Sequence, residues 1–535
     1  MAPGPGSIVR FRSRPPRRLV LSALVALSAV VSAGLPGGTV AVADPESAPG
    51  APRIDYFFVP SLHSRPWRIT PGPDGNLWFT DTNSDLIGLI TPSGEITEYS
   101  IGDGKHPYDI VAGRDGNLWF TENLNNKVGA VDTDGNLVHE YYAPGVDARP
   151  TGITAVTNGD VWWVNGGSGL DPETTVSRVR PDGTVLTYML YPCACFGIGI
   201  TVGPDGRLWV VEELGVYEGD SPGTIDRVSL NGKKVVRFPI PAPPFTEQHL
   251  PAWNAPGPDG RVWFTELNLN LHQVGAVTRG GTVTEYQLPG SDSNTGSITT
   301  GIDGRLWVTE PDANRITILE PDGSFVRSID VHQQPMGITI GPDGNMWFTN
   351  GLSGEIGRIQ TAEPGVEYVL NIVPGFVPAE RTVSLGTTVK WVLEGPGLHE
   401  VQDATGLSLY DSGPRPPVSF MSHAFTSAGT YRYVDPTTGD SGSIGVLVFA
   451  PARDRIGSDF RVEWATADPD PGLVFDAQYL PPGSSSWLTW KSGATETGGD
   501  FLPTAGGTYE FRSRLRMEDG TAKAEWSPPR AVIVS

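Results

Sequence analysis

The sequence has very little cysteine and, after its first 43 residues, neither a long apolar run nor helical periodicity. Cys193 and Cys195 are the only two cysteines among 535 residues, so the chain is not a disulfide scaffold. Their spacing of two puts both side chains on one face of a strand. The pair is then either a local clip or two thiols, or alternatively a strained disulfide that is redox-labile. The lack of apolar runs predicts no transmembrane segment, and the lack of a 3.6-residue period favours an all-β protein.

Basic residues are also scarce relative to acidic ones. The chain has 38 lysines and arginines against 60 aspartates and glutamates, a formal net charge of −22. Such a surface repels phosphate backbones and anionic lipid headgroups. The composition therefore predicts no nucleic-acid partner and favours a soluble protein.

One short phrase, a turn followed by tryptophan, occurs seven times, with Asp-Gly in six copies and Asn158-Gly159 in the third. Asp-Gly between alternating apolar residues is a strong hairpin signal. A period of roughly 40 to 50 residues made of strands and turns is typical of a β-propeller with one repeat per blade. We therefore predict seven blades whose tryptophans pack between neighbouring sheets. These tryptophans are Trp78, Trp119, Trp162, Trp209, Trp263, Trp307 and Trp347.

The first and last repeats predict how the propeller closes. Residues 54–60 resemble a fourth strand that has no three strands before it, whereas the last repeat ends at Ile359 without a fourth strand of its own. Pairing the two removes an open sheet edge. The propeller is therefore expected over residues 54–362.

The amino-terminal segment has the pattern of a secretory signal peptide. Five arginines precede the apolar residues 19–33, and the small-residue run Ala41-Val42-Ala43 follows. This order predicts cleavage after Ala43, and hence a secreted, extracellular protein. Residues 1–43 are the expected signal peptide, and the Pro/Ala/Gly-rich residues 44–53 are the expected linker.

Acidic and histidine side chains are predicted to meet at one end of the propeller. The start of an inner strand and the end of the next, antiparallel strand lie at the same end of a blade. Histidines precede four inner strands, at His63, His106, His249 and His332. The residues three after each tryptophan are Asp81, Glu122, Asn165, Glu212, Glu266, Glu310 and Asn350.

This rim has two interpretations. The functional one is a ligand-binding rim at His249, Glu266, Glu310 and His332. Glu266, Glu310 and His332 would then hold a divalent cation such as Mg²⁺. In the structural alternative, each glutamate pairs with its neighbours and the loop histidines are solvated.

The repeat resembles that of a known enzyme family. Pro-x-Gly-Ile-Thr, Gly-Pro-Asp-Gly-x-Leu-Trp-Phe-Thr-Glu, Ile-Gly-Arg-Ile and Thr-Glu-Tyr together are similar to the virginiamycin B lyases. The resemblance implies a seven-bladed propeller that opens the ester-closed ring of streptogramin B antibiotics by magnesium-assisted elimination. The family's catalytic His, Glu, His and Glu correspond here to Gly296, Gln334, Met336 and Asn350. Because elimination needs a base and a metal, we expect this reaction to be absent or altered.

Residues 366–450 resemble a cupredoxin, a copper-binding β-sandwich. The matching segments are 375–378, 383–391, 399–401 and 425–433. His399 fits the family's first copper ligand, but Asp435 stands where the cysteine belongs and Thr438 stands near the second histidine. A blue-copper site needs the thiolate and both imidazoles, so we predict a copper-free domain in which His399 is a loop or edge residue.

Residues 452–535 resemble a fibronectin type III module, also a β-sandwich. The matching segments are 460–464, 475–479 and 508–514, followed by Trp526-Ser527-Pro528.

Two functions follow for the whole chain. One is a secreted binding protein that recognises an unknown small molecule, glycan or protein. The other is an enzyme, either a metal-dependent carbon–oxygen lyase or a lactone or ester hydrolase acting on a cyclic ester.

Overall fold

A computed structural model describes most of the chain. It covers residues 42–43, 52–145, 147–167, 173–214, 223–241, 249–267, 271–290, 293–395 and 397–535, with the backbone alone at 42–43, 173, 191–195 and 214. Most of the predicted signal peptide and linker lies outside the described residues, as do the side chains of Cys193 and Cys195. Among the described residues, no helix is long and apolar enough to cross a membrane.

The first part of the chain is nearly all β, and its described strands form seven blades in six antiparallel sheets. Blade 1 has strands Pro66–Pro71, Leu77–Asp81, Leu86–Ile90 and Ile96–Ser100. Blade 2 has Pro107–Ala112, Leu118–Glu122, Lys127–Val131 and Leu137–Tyr142, with one 3₁₀ turn at Asn123–Asn125. Blade 5 has Pro251–Pro256, Val262–Glu266, Gln273–Val277 and Val283–Gln287. Blade 6 has Ile298–Thr300, Leu306–Glu310, Arg315–Leu319 and Phe325–Asp330.

Blades 3 and 4 share one long strand. Blade 3 has Pro150–Ala155, Val161–Asn165, Glu173–Val179 and the first part of Val185–Val202. The rest of that strand is the inner strand of blade 4, followed by Leu208–Leu214, Thr224–Val228 and Val235–Pro239. The two blades therefore form a continuous seven-stranded sheet.

The predicted closure of the propeller is confirmed. Blade 7 has Pro335–Ile340, Met346–Asn350 and Glu355–Ile359. The strand Ile54–Phe58 pairs antiparallel with Glu355–Ile359 and supplies the fourth strand. A two-residue strand, Val42–Ala43, then pairs with Ile54–Phe58. The ends of the propeller are thus joined by ladder hydrogen bonds.

The repeated phrase has a physical explanation in its turn. In six blades the tryptophan Nε1 donates a hydrogen bond of 2.9 to 3.3 Å to the turn aspartate four residues earlier. A Cβ on Gly301 would lie 2.3 Å from Trp307 Nε1, so the indole leaves room there only for glycine. All seven tryptophans are at most 5% exposed, which confirms the prediction that they are packing residues.

Two further pairs of sheets follow the propeller. The first pair consists of Gly375–Val377, Val366–Ile372, Thr388–Leu393 and Ser419–Ala424, then Glu380–Val383, Ser441–Val446, Gly429–Val434 and Gln402–Asp403. The second pair consists of Arg453–Asp454, Arg530–Val534, Gly507–Met517, Leu473–Leu480 and Leu488–Ala494, then Phe460–Glu463 and Gly498–Phe501. One hydrophobic cluster, including Trp391 and Trp464, runs through both pairs.

The first of these sheet pairs closes one end of the propeller channel. A cavity of about 200 Å³ lies where six inner strands end, lined by residues such as Ala112, Ala155 and Thr339. The other side of this cavity is formed by Ile372, Val373, Glu394 and Gly395. The opposite end of the channel, where the inner strands begin, is the end at which the rim residues were predicted.

Candidate functional site

The second strand of every blade carries a buried polar residue three positions after the repeat tryptophan. These seven ring positions, each 0–2% exposed, are Asp81, Glu122, Asn165, Glu212, Glu266, Glu310 and Asn350. Asp81 accepts a hydrogen bond from the backbone N–H of Arg65 (2.9 Å), and Glu266 accepts one from Leu250 (3.0 Å). In these two blades the carboxylate therefore anchors the loop that precedes the inner strand.

Three of the buried ring glutamates are matched by a basic side chain. Glu122 lies 3.6 Å from the ammonium of Lys105. Glu212 forms an ion pair with Arg237, and Glu310 lies 2.6 Å from the Arg315 guanidinium. An isolated buried carboxylate would be costly. These pairs agree with the structural interpretation of the rim in blades 2, 4 and 6.

Blade 5 is built differently. His249 Nδ1 lies 3.1 Å from Glu266 Oε1 and 3.3 Å from Glu285 Oε1. His249 Nε2 lies 2.8 Å from the carbonyl oxygen of Pro241. His249 and Glu266 are buried, whereas the Glu285 side chain is 26% exposed. The three ligand atoms lie within 4.8 Å of one another, an arrangement that could hold a metal ion. Sequence reasoning found His249 and Glu266 but missed Glu285.

Burial and the mutual contacts of His249, Glu266 and Glu285 shift the pKa values of all three side chains. Burial is the largest influence on Glu266 and raises the pKa of its carboxyl, opposed by the hydrogen bond from His249. Burial likewise raises the pKa of Glu285. Burial alone would lower the pKa of His249, but the two glutamates outweigh it and the pKa is raised. Proton sharing or a bound cation would both relieve the cluster.

The three metal ligands predicted from the sequence have different partners. Glu266 lies with His249, as described. Glu310 Oε2 lies 2.8 Å from His272 Nε2 as well as against Arg315. His332 Nδ1 lies 2.9 Å from Glu355 Oε2. A joint metal site of Glu266, Glu310 and His332 stays a prediction.

The charge balance around Glu310 differs from that in blade 5. Burial alone would raise the pKa of Glu310, but hydrogen bonds from His272, Arg315 and Thr317 outweigh it and lower the pKa. A guanidinium thus already occupies the cationic position beside this carboxylate. His272, which the sequence analysis did not single out, is 1% exposed and belongs to this pair.

The other two loop histidines make no comparable cluster among the described contacts. His63 is exposed and has a left-handed backbone, with φ of 64°. His106 is half-buried, and its Nδ1 lies 3.3 Å from the carbonyl oxygen of Thr82. Both fit the structural interpretation better than a role as ligands.

The four positions that correspond to the lyase residues lie close together in blades 6 and 7. A Cβ on Gly351 would lie 3.1 Å from both Gln334 Oε1 and Met336 Cγ, so these side chains lie beside the strand end at Asn350. Thr309 Oγ1 donates to the carbonyl oxygen of Met336 (2.9 Å), and the space beside Gly296 is bounded by the same hydroxyl. We call Gly296, Gln334, Met336 and Asn350 the lyase positions.

The lyase positions carry polar atoms without partners but no titratable group. Among the described residues, Asn350 Oδ1 and Nδ2 and Gln334 Oε1 are buried and have no hydrogen-bond partner. Buried amides of this kind are uncommon without a ligand or water to complete them. None of the four side chains can act as a general base near neutral pH.

A histidine–glutamate pair lies next to the lyase positions. Glu355 is directly opposite Asn350 in the ladder of blade 7. Its carboxylate contacts His332 Nδ1, and the His332 ring stacks on Tyr56 with centroids 3.6 Å apart. The His332 side chain is 47% exposed. A carboxylate that holds Nδ1 of an accessible imidazole leaves Nε2 available for proton transfer.

Large side chains occupy the channel near the start of the inner strands. The channel cluster consists of Trp67, Arg68, Tyr108, Asp109 and Trp253. The guanidinium of Arg68 lies 3.4 Å from the centroid of the Trp253 ring, and Arg68 Nη1 donates to the carbonyl oxygen of Met336 (3.3 Å). The ring of Tyr108 lies 5.7 Å from Trp67 and 5.9 Å from Trp253. The Met336 contact joins this cluster to the lyase positions.

Sequence reasoning missed the channel cluster, although a signal was present. Blades 3, 4 and 7 have Gly152, Gly199 and Gly337 at the third residue of the inner-strand phrase. A Cβ at Gly337 would lie 2.9 Å from the Trp67 carbonyl oxygen. Blades 1, 2 and 5 instead carry Arg68, Asp109 and Trp253 at this position. A charged or aromatic residue at a glycine position of an inner strand thus marks a side chain placed in the channel.

His399 and Asp435 contact each other inside the second domain. His399 lies between Thr388–Leu393 and Gln402–Asp403, is 1% exposed, and has its Nδ1 2.8 Å from Asp435 Oδ2. The aspartate at the expected cysteine position therefore binds the histidine at the expected copper-ligand position. The absence of copper stays a prediction.

Seven four-stranded blades, closed by the strand Ile54–Phe58, define the propeller class of β proteins. The chain belongs to the virginiamycin B lyase family, whose sequence model matches residues 50–214 and 168–373. The match covers the propeller and ends at Val373, one residue after the strand Val366–Ile372.

Individual relatives agree with this membership. The virginiamycin B lyase of Nocardia farcinica (strain IFM 10152) is 30% identical over 219 residues, which are 40% of this chain and 67% of that protein. The solved structure of a streptogramin B lyase is 29% identical with a TM-score of 0.50, covering 57% of this chain and 97% of that one. A catalytically inactive virginiamycin B lyase variant from Staphylococcus aureus, solved with quinupristin, is 28% identical with a TM-score of 0.50, covering 58% and 99%.

Proposed function

We propose that this protein is a secreted ligand-binding propeller that retains the family's fold and has lost its streptogramin-opening reaction. One observation carries the proposal: the lyase positions adjoin one another but hold Gly296, Gln334, Met336 and Asn350. Elimination needs a group that removes the proton α to the carbonyl and a cation that stabilises the developing charge. Glycine, methionine and the two amides supply neither.

The ligand site that we propose is formed by the lyase positions and the channel cluster together. Trp67, Tyr108 and Trp253 are partly exposed and offer flat apolar faces. Arg68 Nε and Nη2 are buried and have no hydrogen-bond partner among the described residues. Ring stacking and an unsatisfied guanidinium suit a small molecule that has a flat ring and carbonyl or carboxylate oxygens.

Titration of the purified chain with quinupristin separates binding from turnover. We expect quenching of tryptophan fluorescence by the ligand and, by mass spectrometry, recovery of the ring intact. Trp253→Ala should weaken binding at least tenfold, whereas Trp487→Ala, in the last sheet pair, should not change it. Ring opening by the wild-type protein would refute the loss of the lyase reaction. Equal binding by wild type and Trp253→Ala would refute the site.

The alternative is a hydrolase or variant lyase that acts on a cyclic ester, and the His332–Glu355 pair is the observation that favours it. His332 would act as general base, and Glu355 would be a positioning residue that fixes the imidazole tautomer. A divalent cation such as Mg²⁺ at the rim would belong to this alternative, with carboxylate or imidazole ligands from outside the lyase positions, which offer only the neutral amide oxygens of Gln334 and Asn350.

A panel of lactones and cyclic esters, assayed with and without Mg²⁺, tests the alternative. If it holds, His332→Gln should lower kcat by at least a hundredfold, while His63→Gln on the exposed loop should have no effect. The Glu355→Gln variant should shift the pH dependence of kcat rather than abolish turnover. Absence of turnover on the whole panel, or turnover that survives in His332→Gln, would leave the ligand-binding function as the better account.

The remaining domains fit an extracellular binding protein. We propose that residues 1–43 direct export and that the two carboxy-terminal sandwiches, of cupredoxin-like and fibronectin type III-like kind, attach the propeller to another surface or macromolecule. The buried His399–Asp435 pair supports a second domain without copper, because the imidazole Nδ1 is already bound by a carboxylate.

A further inference from the structure

Blade 5 has an uncompensated negative charge that blades 2 and 6 lack. In blades 2 and 6 the third strand begins with a basic residue, Lys127 or Arg315. In blade 5 the same position is Gln273, whose Nε2 donates to Glu285 Oε1 (2.6 Å). Among the described residues, no lysine or arginine pairs with Glu266 or Glu285. Two carboxylates therefore face a single imidazole.

The contacts of His249 fix which nitrogen faces the carboxylates. Its Nε2 lies 2.8 Å from the Pro241 carbonyl oxygen, which can only accept a hydrogen bond, so Nε2 carries hydrogen. Nδ1 then faces Glu266 Oε1 at 3.1 Å and Glu285 Oε1 at 3.3 Å. A lone pair opposite two carboxylate oxygens is repulsive unless a proton or a metal ion lies between them.

The spacing of the three groups fits a metal ion. A cation bound at about 2.1 Å to nitrogen and oxygen separates adjacent ligands by roughly 3.0 Å in an octahedron and 3.4 Å in a tetrahedron. The two Nδ1–oxygen separations fall within that interval. Each ligand also has a hydrogen bond of its own: the Pro241 carbonyl oxygen accepts from His249 Nε2, the Leu250 N–H donates to Glu266 Oε2, and Gln273 Nε2 donates to Glu285 Oε1. Such outer contacts orient ligands in protein metal sites.

We propose that His249 Nδ1, Glu266 and Glu285 form a binding site for one divalent transition-series cation in blade 5. The site is separate from the ligand site proposed above and does not depend on it. One imidazole with two carboxylates suits Mn²⁺ or Zn²⁺ better than Ca²⁺. A divalent ion would cancel both carboxylate charges, and the exposed edge of Glu285 leaves room for water as a further ligand.

Isothermal titration of the chelator-treated full chain with Mn²⁺, repeated with Zn²⁺, tests the site. The wild-type chain should bind one ion, and Glu285→Gln should weaken binding at least tenfold. Glu98→Gln is the matched control, because Glu98 is the equivalent residue in the fourth strand of blade 1. It should bind the ion as wild type does.

A second variant keeps the test independent of any folding defect. Gln273→Arg supplies the basic residue that blades 2 and 6 already accommodate at this position, so the fold should persist while metal binding is lost. Saturable binding that is unchanged in both Glu285→Gln and Gln273→Arg would overturn the proposal. Absence of saturable binding by the wild-type chain would also overturn it and would assign the cluster to a protonated His249 held by two carboxylates.

Discussion

We predict that the carboxyl of Glu394 makes the stability of the protein depend on pH in the neutral range. Glu394 lines the cavity of about 200 Å³ at the closed end of the channel. Burial raises the pKa of this carboxyl from its ordinary value of 4.5 to about 8. The folded protein then keeps a proton that the unfolded chain releases, so stability falls as pH rises from about 4.5 to about 8. Glu394→Gln removes this dependence.

The size of the effect follows from the same shift. Without solvent screening, the raised pKa would lower the free energy of unfolding at pH 7.5 by about 4 kcal/mol relative to the fully protonated protein. Each pKa unit corresponds to about 1.4 kcal/mol. The cavity is large enough to admit water, which would solvate the ionised carboxylate. We therefore expect Glu394→Gln to be more stable than wild type by about 2 kcal/mol at pH 7.5, and equally stable at pH 4.5.

Denaturant unfolding of both proteins at pH 4.5, 6 and 7.5, followed by fluorescence, measures this difference. Infrared spectroscopy should also show the C=O band of protonated carboxyls at pH 7 in wild type, and that band should be weaker in Glu394→Gln, in which the buried Glu212, whose pKa is also raised to about 8, still contributes. Glu380→Gln, an exposed glutamate of the same domain, should follow the wild type at every pH. The reasoning fails if wild type and Glu394→Gln lose stability in parallel between pH 4.5 and 7.5.

Two other predictions concern the second domain and the repeated turn. The full chain should stay colourless when Cu²⁺ is added, and an intense blue absorption band would show that Asp435 does not prevent copper binding. Burial would raise the pKa of Asp435, but hydrogen bonds from His399 and Thr437 outweigh it and lower the pKa. The ionised Asp435 carboxylate therefore stabilises the folded protein above about pH 4, and this stabilisation is lost in acid. The Asp435→Asn variant should not show this loss of stability in acid. Asp303→Ala leaves the indole N–H of Trp307 without its 3.1 Å acceptor and should destabilise the fold by about 1–2 kcal/mol; an unchanged thermal transition would contradict the role assigned to this turn.

The fold was predictable because its information is local and repeated. In six blades a turn aspartate binds the tryptophan four residues later, and the glycine two residues before that aspartate makes space for the indole, so a ten-residue phrase contains both partners. Closure was predictable for a related reason. Residues 54–60 match the fourth strand of a repeat, and pairing them with Glu355–Ile359 satisfies a backbone edge that a seven-bladed ring would otherwise leave open.

The site was only partly predictable because its contacts join residues from different strands and blades. The sequence located Glu266 and His249 by their place in the repeat, but Glu285 enters from the fourth strand, where a surface residue is the ordinary expectation. Glu310 pairs with His272 of the preceding blade. Arg68 meets Trp253 across the channel. Such pairings depend on blade geometry, which spacing along the chain does not reveal.

The ring positions show how a repeat protein can change its chemistry without changing its fold. The ring position of the second strand is buried in every blade, so each copy must be satisfied by its own neighbours. Arg315 does so for Glu310, and a base or metal function there would require removing that guanidinium. Gln273 leaves Glu266 beside a second carboxylate and an imidazole, so the same backbone position can bind a cation. Gln273 at the start of the third strand, together with His249 and Glu285, thus distinguishes the metal site proposed in blade 5 from the ion pair of blade 6.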